Sequence, residues 1–218
     1  MLPRVECMRI QHPPDIYGQK QRQKPRERRK EFVSLAELVE VLGIEGQSVK
    51  RDVMMSDVPK FVLDREFDAP CELVWRTWTE EVLLARWYGP GVETVIHELD
   101  VRAGGMWRNE MRMQGRSSYE VMKYTQVVPS ERLVWLQSMT DEAWNVIANP
   151  WMANWPQVLL TTVSFEERDG RTHLRLVWEP HEANDAEIAG FAEALGGLSR
   201  GWGKGMDVLA EMLVELQQ

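Results

Sequence analysis

From about Phe61 onward, the carboxy-terminal three quarters of the chain predicts an α+β domain. Its expected form is a curved antiparallel sheet wrapped around one long C-terminal helix, with two short helices after the first strand. Three observations carry this expectation. Segments of period two, punctuated by glycine and proline turns, run from Val92 to Glu179. Two short stretches of helical spacing precede them. An apolar stripe of helical period closes the chain, and a sheet of this size needs a cover on its concave face.

Phe61 to Phe67 is rich in strand formers and reads as the first strand. Asp68-Ala-Pro70 stops it and starts a helix, with Asp68 or Ala69 near the cap and Pro70 at a tolerated first-turn position. That helix turns Leu73, Val74 and Trp78 inward. Thr79 is expected to cap a second short helix, with Leu83, Leu84 and Trp87 on its apolar face, ended by Tyr88-Gly-Pro-Gly91.

The period then becomes two. Val92 to Val101 is a strand and Arg102-Ala-Gly-Gly105 a tight turn. Met106 to Met113 returns with Trp107, Asn109, Met111 and Met113 on one face and Arg108, Glu110 and Arg112 on the other. Tyr119 to Val128 and Arg132 to Met139 follow, joined by Pro129-Ser-Glu. Thr140 to Pro156 has no period and carries Trp144, Trp151 and Trp155, which suits a lid or binding segment. Val158 to Arg168 and Arg171 to Glu179 make a last hairpin about Asp169-Gly170. The final helix runs from Ala186, with a break or kink expected at Gly196-Gly197. Beyond it lies the stripe Trp202, Met206, Leu209, Leu213 and Leu216. Gly201, Gly203 and Gly205 each cost about 1 kcal/mol against alanine inside a helix. They therefore imply close approach, a bend, or room left for a ligand.

Several of these segments resemble one known family. They are Arg65-Glu-Phe-Asp-Ala-Pro70, Val74-Trp75-Arg76-Thr77-Trp78-Thr79, and Leu84 to Trp87 with Gly89-Pro90. Asp100-Val-Arg102-Ala-Gly104-Gly105-Met-Trp107, Pro129-Ser-Glu131-Arg132-Leu133-Val134 and Gly201-Trp202 follow in order. Together, over about residues 61–217, they resemble the activator-of-heat-shock-protein-90-ATPase-like family of the START/SRPBCC superfamily. The resemblance implies the helix-grip, START-like fold. Many bacterial relatives have no assigned activity, and the superfamily includes lipid carriers, aromatic-polyketide cyclases and hormone receptors. The implied function is therefore binding of a small hydrophobic or aromatic molecule without catalysis. The alternatives are a co-chaperone-like protein-interaction module and a cyclase-like enzyme on an aromatic substrate. Co-chaperone activity in eukaryotic members depends on a separate amino-terminal domain, which residues 1–54 do not resemble.

The net charge of −8 conceals an asymmetry: residues 1–54 hold 11 Lys/Arg and 8 Asp/Glu, and the remainder 15 and 26. So acidic a domain repels phosphate backbones, which argues against nucleic acid. No apolar run approaches the ~20 residues that span a bilayer, and no h-region opens the chain, so a membrane role is not expected. Cys7 and Cys71 lie in unlike contexts, which favours a reducing cytoplasm over a disulfide.

Met1 to Glu31 reads as disordered, with Lys20, Arg22, Lys24, Arg26, Arg28, Arg29 and Lys30 either a solvated tail or a basic arm for nucleic acid or an acidic protein partner. One short helix is expected at 34–43, where Ser34 and Glu37 form a capping box before Gly43. Met54 or Met55 opens a stretch that looks like an ordinary protein start, so residues 1–54 also read as an upstream extension, and 55–218 as the domain proper. The sequence leaves a homodimer open.

No catalytic residue is assigned, and neither a cofactor nor a metal is expected. His97 lies on the strand face opposite Glu98 and Asp100, and His173 opposite Leu174 and Leu176. Asp100 and Arg102 read as a hairpin-end ion pair. The residues expected near a ligand are Trp107, Asn109, Met111, Tyr124, Trp135, Trp178, Trp202 and Met206. Each also has an ordinary role as core filling. Adaptable Met and flat Trp side chains together suit an aromatic ligand. Asn109, Tyr124 and His97 are the polar candidates if a reaction occurs.

Overall fold

The computed structural model describes residues 58–218. The expected tail and the helix near 34–43 lie outside the described residues. Within them the order is β1 (Phe61–Phe67), α1 (Cys71–Thr79), α2 (Glu81–Trp87), β2 (Glu93–Leu99), β3 (Met106–Met113), β4 (Arg116–Val128), β5 (Arg132–Thr140), β6 (Leu159–Arg168), β7 (Arg171–Pro180) and α3 (Asp185–Leu216).

The strands form one seven-stranded antiparallel sheet in the order β1-β7-β6-β5-β4-β3-β2. Sequential neighbours pair throughout, except that β1 closes against β7, setting Phe61 opposite Trp178 and Phe67 opposite Thr172. Gln114-Gly115 and Asp169-Gly170 turn two hairpins with positive φ at both central positions, a twist that matches the flanking strands. Gly105 is obligatory at the β2–β3 turn, because a Cβ there would stand 2.0 Å from the Asp100 carbonyl oxygen. Arg102 and Asp100 pair beside it at 2.8 Å, as the sequence suggested.

Alternation decides which face is dry. Thr172, Leu174, Leu176 and Trp178 of β7 point to the concave face, with Leu159, Thr161, Val163 and Phe165 of β6 beside them. Met206, Leu209, Met212 and Leu213 of α3 are buried against this face, and Leu216 at the helix end is partly exposed, at 37%. Arg65 bonds Asp207 across to α3.

Three local expectations are corrected. Thr79 ends α1 rather than capping α2: its hydroxyl donates to the Trp75 carbonyl at 2.9 Å, and Glu80 opens α2 without a side-chain cap. Neither Asp68 nor Ala69 caps α1. Pro70 is the N-cap, and Cys71 N–H donates instead to Glu167 on β6 at 3.1 Å. The final helix is one uninterrupted element of 32 residues, opened by an Asn184–Glu187 capping box. Packing at both ends carries it through Gly196-Gly197 despite their poor helix propensity.

The β5–β6 loop is fixed at separate points. Trp144 reaches the convex face, with its ring 5.3 Å from His97, 5.7 Å from Tyr119 and beneath the Arg108 guanidinium. Trp144 holds a positive φ of 66, uncommon for a bulky residue, and these contacts secure it. Trp155 packs on Phe191 of α3 at 5.5 Å, and Trp151 is exposed. Gly190 lets the loop meet the helix, since a Cβ there would be 2.4 Å from the Asn154 carbonyl oxygen.

A long helix gripped by a curled sheet, with two short helices after the first strand, is the helix-grip, START-like architecture. The two kinds of glycine on α3 separate in a stability measurement. Gly190→Ala, which meets backbone, should lower unfolding free energy by about 1–3 kcal/mol. Gly196→Ala, which meets nothing within 4 Å, should raise it by about 1 kcal/mol. Denaturant unfolding of both variants checks the pair.

Candidate functional site

Between the concave face and the middle of α3 lies a cleft of about 440 Å³, open to solvent on one side. Its floor is Met111 of β3, Glu120 of β4 and Trp178 of β7. Trp87, Tyr88, Gly89 and Pro90, at and after the end of α2, form one wall, and α3 forms the other. Gly89 is fixed there by a φ of +75 and by Val92, whose Cγ2 would lie 2.8 Å from an added Cβ. A second lobe of about 180 Å³ continues beneath the β5–β6 loop, reaching Gln137, Met152 and Trp155. Glu120, Trp178 and Leu198 line both lobes.

The helical wall explains the glycines. Gly197, Gly201 and Gly205 recur every four residues and all line the cleft. A Cβ on Gly197 or Gly201 would meet nothing within 4 Å, and one on Gly205 would be 3.7 Å from Pro90 Cδ. Ordinary side chains at the first two positions would project into the opening. Of the readings the sequence allowed, room beside the helix describes Gly197 and Gly201. Gly205 is buried against Trp87 and Pro90.

Aromatic rings shape the rest. Trp202 lies parallel to Trp78 at 6.3 Å and stands nearly perpendicular to Trp178 at 5.4 Å and to Tyr88 at 6.0 Å. Trp78 in turn touches Trp87, Trp135 and Phe165.

Glu120 is the one carboxylate among the cleft-lining residues. It shares the concave face with buried Met122 and Tyr124 and sits opposite Asn109 in the β3–β4 register. Its carboxyl lies deep in the fold yet opens onto the cleft, and this burial pushes it up to about 7. Hydrogen bonds from Gln137 and Tyr88 only partly oppose the shift. Tyr88 Oη donates to Glu120 Oε2 at 3.4 Å, and burial followed by the charge of Glu120 drives this phenol well above its ordinary value. Trp135 Nε1 donates to Gln137 Oε1 at 3.4 Å, completing a short polar chain. Among the described residues no lysine, arginine or histidine pairs with Glu120.

Of the residues the sequence nominated, Met111, Trp178 and Trp202 stand on the cleft wall. Trp107, Asn109, Tyr124, Trp135 and Met206 are fully buried in the surrounding core, and burial raises the Tyr124 phenol. The Asn109 amide, Tyr124 Oη and Trp178 Nε1 have no protein hydrogen-bond partner. His97 is on the other side of the sheet. A bulge between Ile96 and Glu98 resets the strand there, and His97 Nε2 lies 2.8 Å from Glu110 Oε2. Glu110 also accepts from Arg112 and Ser117. These bonds, Arg112's foremost, lower it to about 2 against a weaker opposing effect of burial. His173 is likewise on an outer face, 3.0 Å from Glu66. No three His, Cys, Asp or Glu side chains among the described residues gather as a metal site would require.

Glu120, Tyr88 and Gln137 escaped the sequence reading. Glu120 left a trace: it shares the alternation of Met122 and Tyr124, so a charged residue falls on an apolar face. Tyr88 and Gln137 left none, because only the fold brings them to it.

The raised carboxyl makes a signed prediction. Its folded value exceeds its unfolded one, so the contribution of Glu120 to stability is greatest below about pH 4.5 and is lost as pH rises through about 7. Glu120→Gln should remove that slope and stabilise the fold by up to about 3 kcal/mol above neutrality. Urea melts of wild type and variant from about pH 5 to about pH 8 test it; parallel profiles refute it.

Comparison with known proteins places the architecture. A crystal structure of a Mycobacterium smegmatis protein superposes with a TM-score of 0.61 at 21% identity, over 72% of this chain and 91% of that one. A solution structure of an Arthrobacter aurescens protein gives 0.62 at 21% identity, over 73% and 88%. A Nitrosomonas europaea crystal structure gives 0.57 at 23% identity, over 74% and 97%. At these identities the likeness concerns the fold. No curated protein matches the chain. No helix among the described residues is long and apolar enough to cross a membrane. The model of the Activator of Hsp90 ATPase homolog 1-like protein family matches residues 68–214, and the chain belongs to that family.

Proposed function

We propose that the domain binds a small, largely apolar molecule in the cleft between the sheet and α3, without a chemical step. One observation carries the reading: Gly197 and Gly201 hold the cleft open at a cost of about 1 kcal/mol each in helix propensity. Packing alone favours alanine or a larger residue at such positions. An opening of about 440 Å³ lined mainly by aromatic and apolar side chains suits a ligand of modest size.

Catalysis is the second reading, favoured by the approach of two ionisable groups, Glu120 and Tyr88, in the cleft. Tyr88 only lends Glu120 a hydrogen bond, and burial keeps its phenol neutral, so the binding reading stands first.

Fluorescent-dye titration and native mass spectrometry of the full chain test the proposal. Gly201→Ala should stabilise the fold by about 1 kcal/mol. Gly201→Leu should fill the opening and weaken dye binding at least about tenfold while the protein stays folded. Dye affinity unchanged by Gly201→Leu, or no uptake by wild type, refutes it.

A further inference from the structure

We propose that the cleft selects an apolar or aromatic molecule bearing one ammonium group, its nitrogen set against Glu120 and framed by Tyr88, Trp178 and Trp202. The inference rests on the binding function proposed above and names the ligand class for that site.

Charge and shape both point this way. Glu120 is a carboxylate at the junction of the two lobes, inside a mostly apolar lining, and no protein cation neutralises it. Burying an unpaired carboxylate is costly, and a cation delivered by a ligand offsets that cost. Three rings line the same cleft, with Tyr88 and Trp178 nearly perpendicular to Trp202 at 76° and 88°. Aromatic walls meeting at right angles present more than one electron-rich face to a common volume, the arrangement that holds alkylated ammonium ions. An anionic ligand meets repulsion from Glu120. A neutral hydroxyl gains a hydrogen bond there but no charge attraction. The acidic balance of residues 55–218, with 15 Lys/Arg against 26 Asp/Glu, also draws cations towards the domain.

The groups facing Glu120 are Tyr88 after α2, Gln137 on β5, Asn109 on β3, Tyr124 further along β4, and Lys204 on α3 at the cleft edge. Both phenols are held neutral by burial, and Gln137 and Asn109 carry no charge. Lys204 opposes an ammonium ligand, but it is exposed and its field is screened by salt. Ionisation of Glu120 therefore governs the pH response, and amine affinity should rise as pH passes through about 7.

A matched pair of probes, naphthylethylamine and naphthylethanol, tests this by calorimetric titration of the full chain. At about pH 8 the amine should bind at least about tenfold more tightly than the alcohol, from a charge-assisted bond plus cation–π attraction. The preference should shrink below about pH 6 as Glu120 is protonated. Glu120→Gln should abolish the preference, and Lys204→Ala should raise amine affinity. Equal binding of amine and alcohol by wild type, or a preference surviving in Glu120→Gln, overturns this inference while leaving the binding function intact. Failure of both probes, and of the dye, overturns both. The wild-type comparison at two pH values needs no variant, so it decides the matter even if Glu120→Gln does not fold.

Discussion

The stack of Trp202 on Trp78 joins every layer of this domain. Trp78 belongs to α1, touches Trp87 of α2, and meets Trp135 and Phe165 on the sheet. Through Trp202 the same ring reaches the middle of α3. Truncating such a residue typically costs about 3–5 kcal/mol, so one contact is a sizeable share of a domain's net stability. The stack also shapes the cleft, since Trp202 lines it. It pins α3 at Trp202, while Met206, Leu209 and Leu213 hold the C-terminal half. The glycine-rich stretch just before can then stand off the sheet without the helix breaking.

Two glutamates on neighbouring strands show how the faces of one sheet differ. Glu110 lies on the convex side, where Arg112, Ser117 and His97 supply donors and a cation, so its charge is favoured. Glu120 lies on the concave side, where Tyr88 and Gln137 supply weaker neutral donors within an apolar lining, so its charge is disfavoured. Residue type is the same and strand position nearly so; the inventory of partners separates them. Glu110 locks the convex face. Glu120 is left wanting a counter-charge in the cleft on the other side.

The β5–β6 loop shows why a tryptophan-rich segment without period can be ordered. Its three tryptophans point to different destinations: the convex face for Trp144, α3 for Trp155 and solvent for Trp151. Gly190 supplies the matching gap on the helix. The loop thereby becomes a wall of the second lobe through Met152 and Trp155.

Strand identity, the glycine-bearing hairpin turns and the long closing helix were legible in the order of residues, because period-two alternation and turn chemistry are local properties. The family was legible for the same reason: its matched segments are caps, turns and packing tryptophans. Among the candidate ligand residues, large apolar side chains could be nominated, but wall could not be told from filling. Met111, Trp178 and Trp202 border the cleft while Trp107, Trp135 and Met206 do not, a difference set by where α3 stands off. The unbroken passage of α3 through Gly196-Gly197, the cap that Glu167 gives α1, and the bulge that sets Glu98 opposite Arg108 depend on partners distant in sequence. So does the meeting of Glu120 with Tyr88 and Gln137. Alternation could place a carboxylate on the dry face. Only the tertiary structure could surround it with rings, deny it a cation and leave an opening beside it.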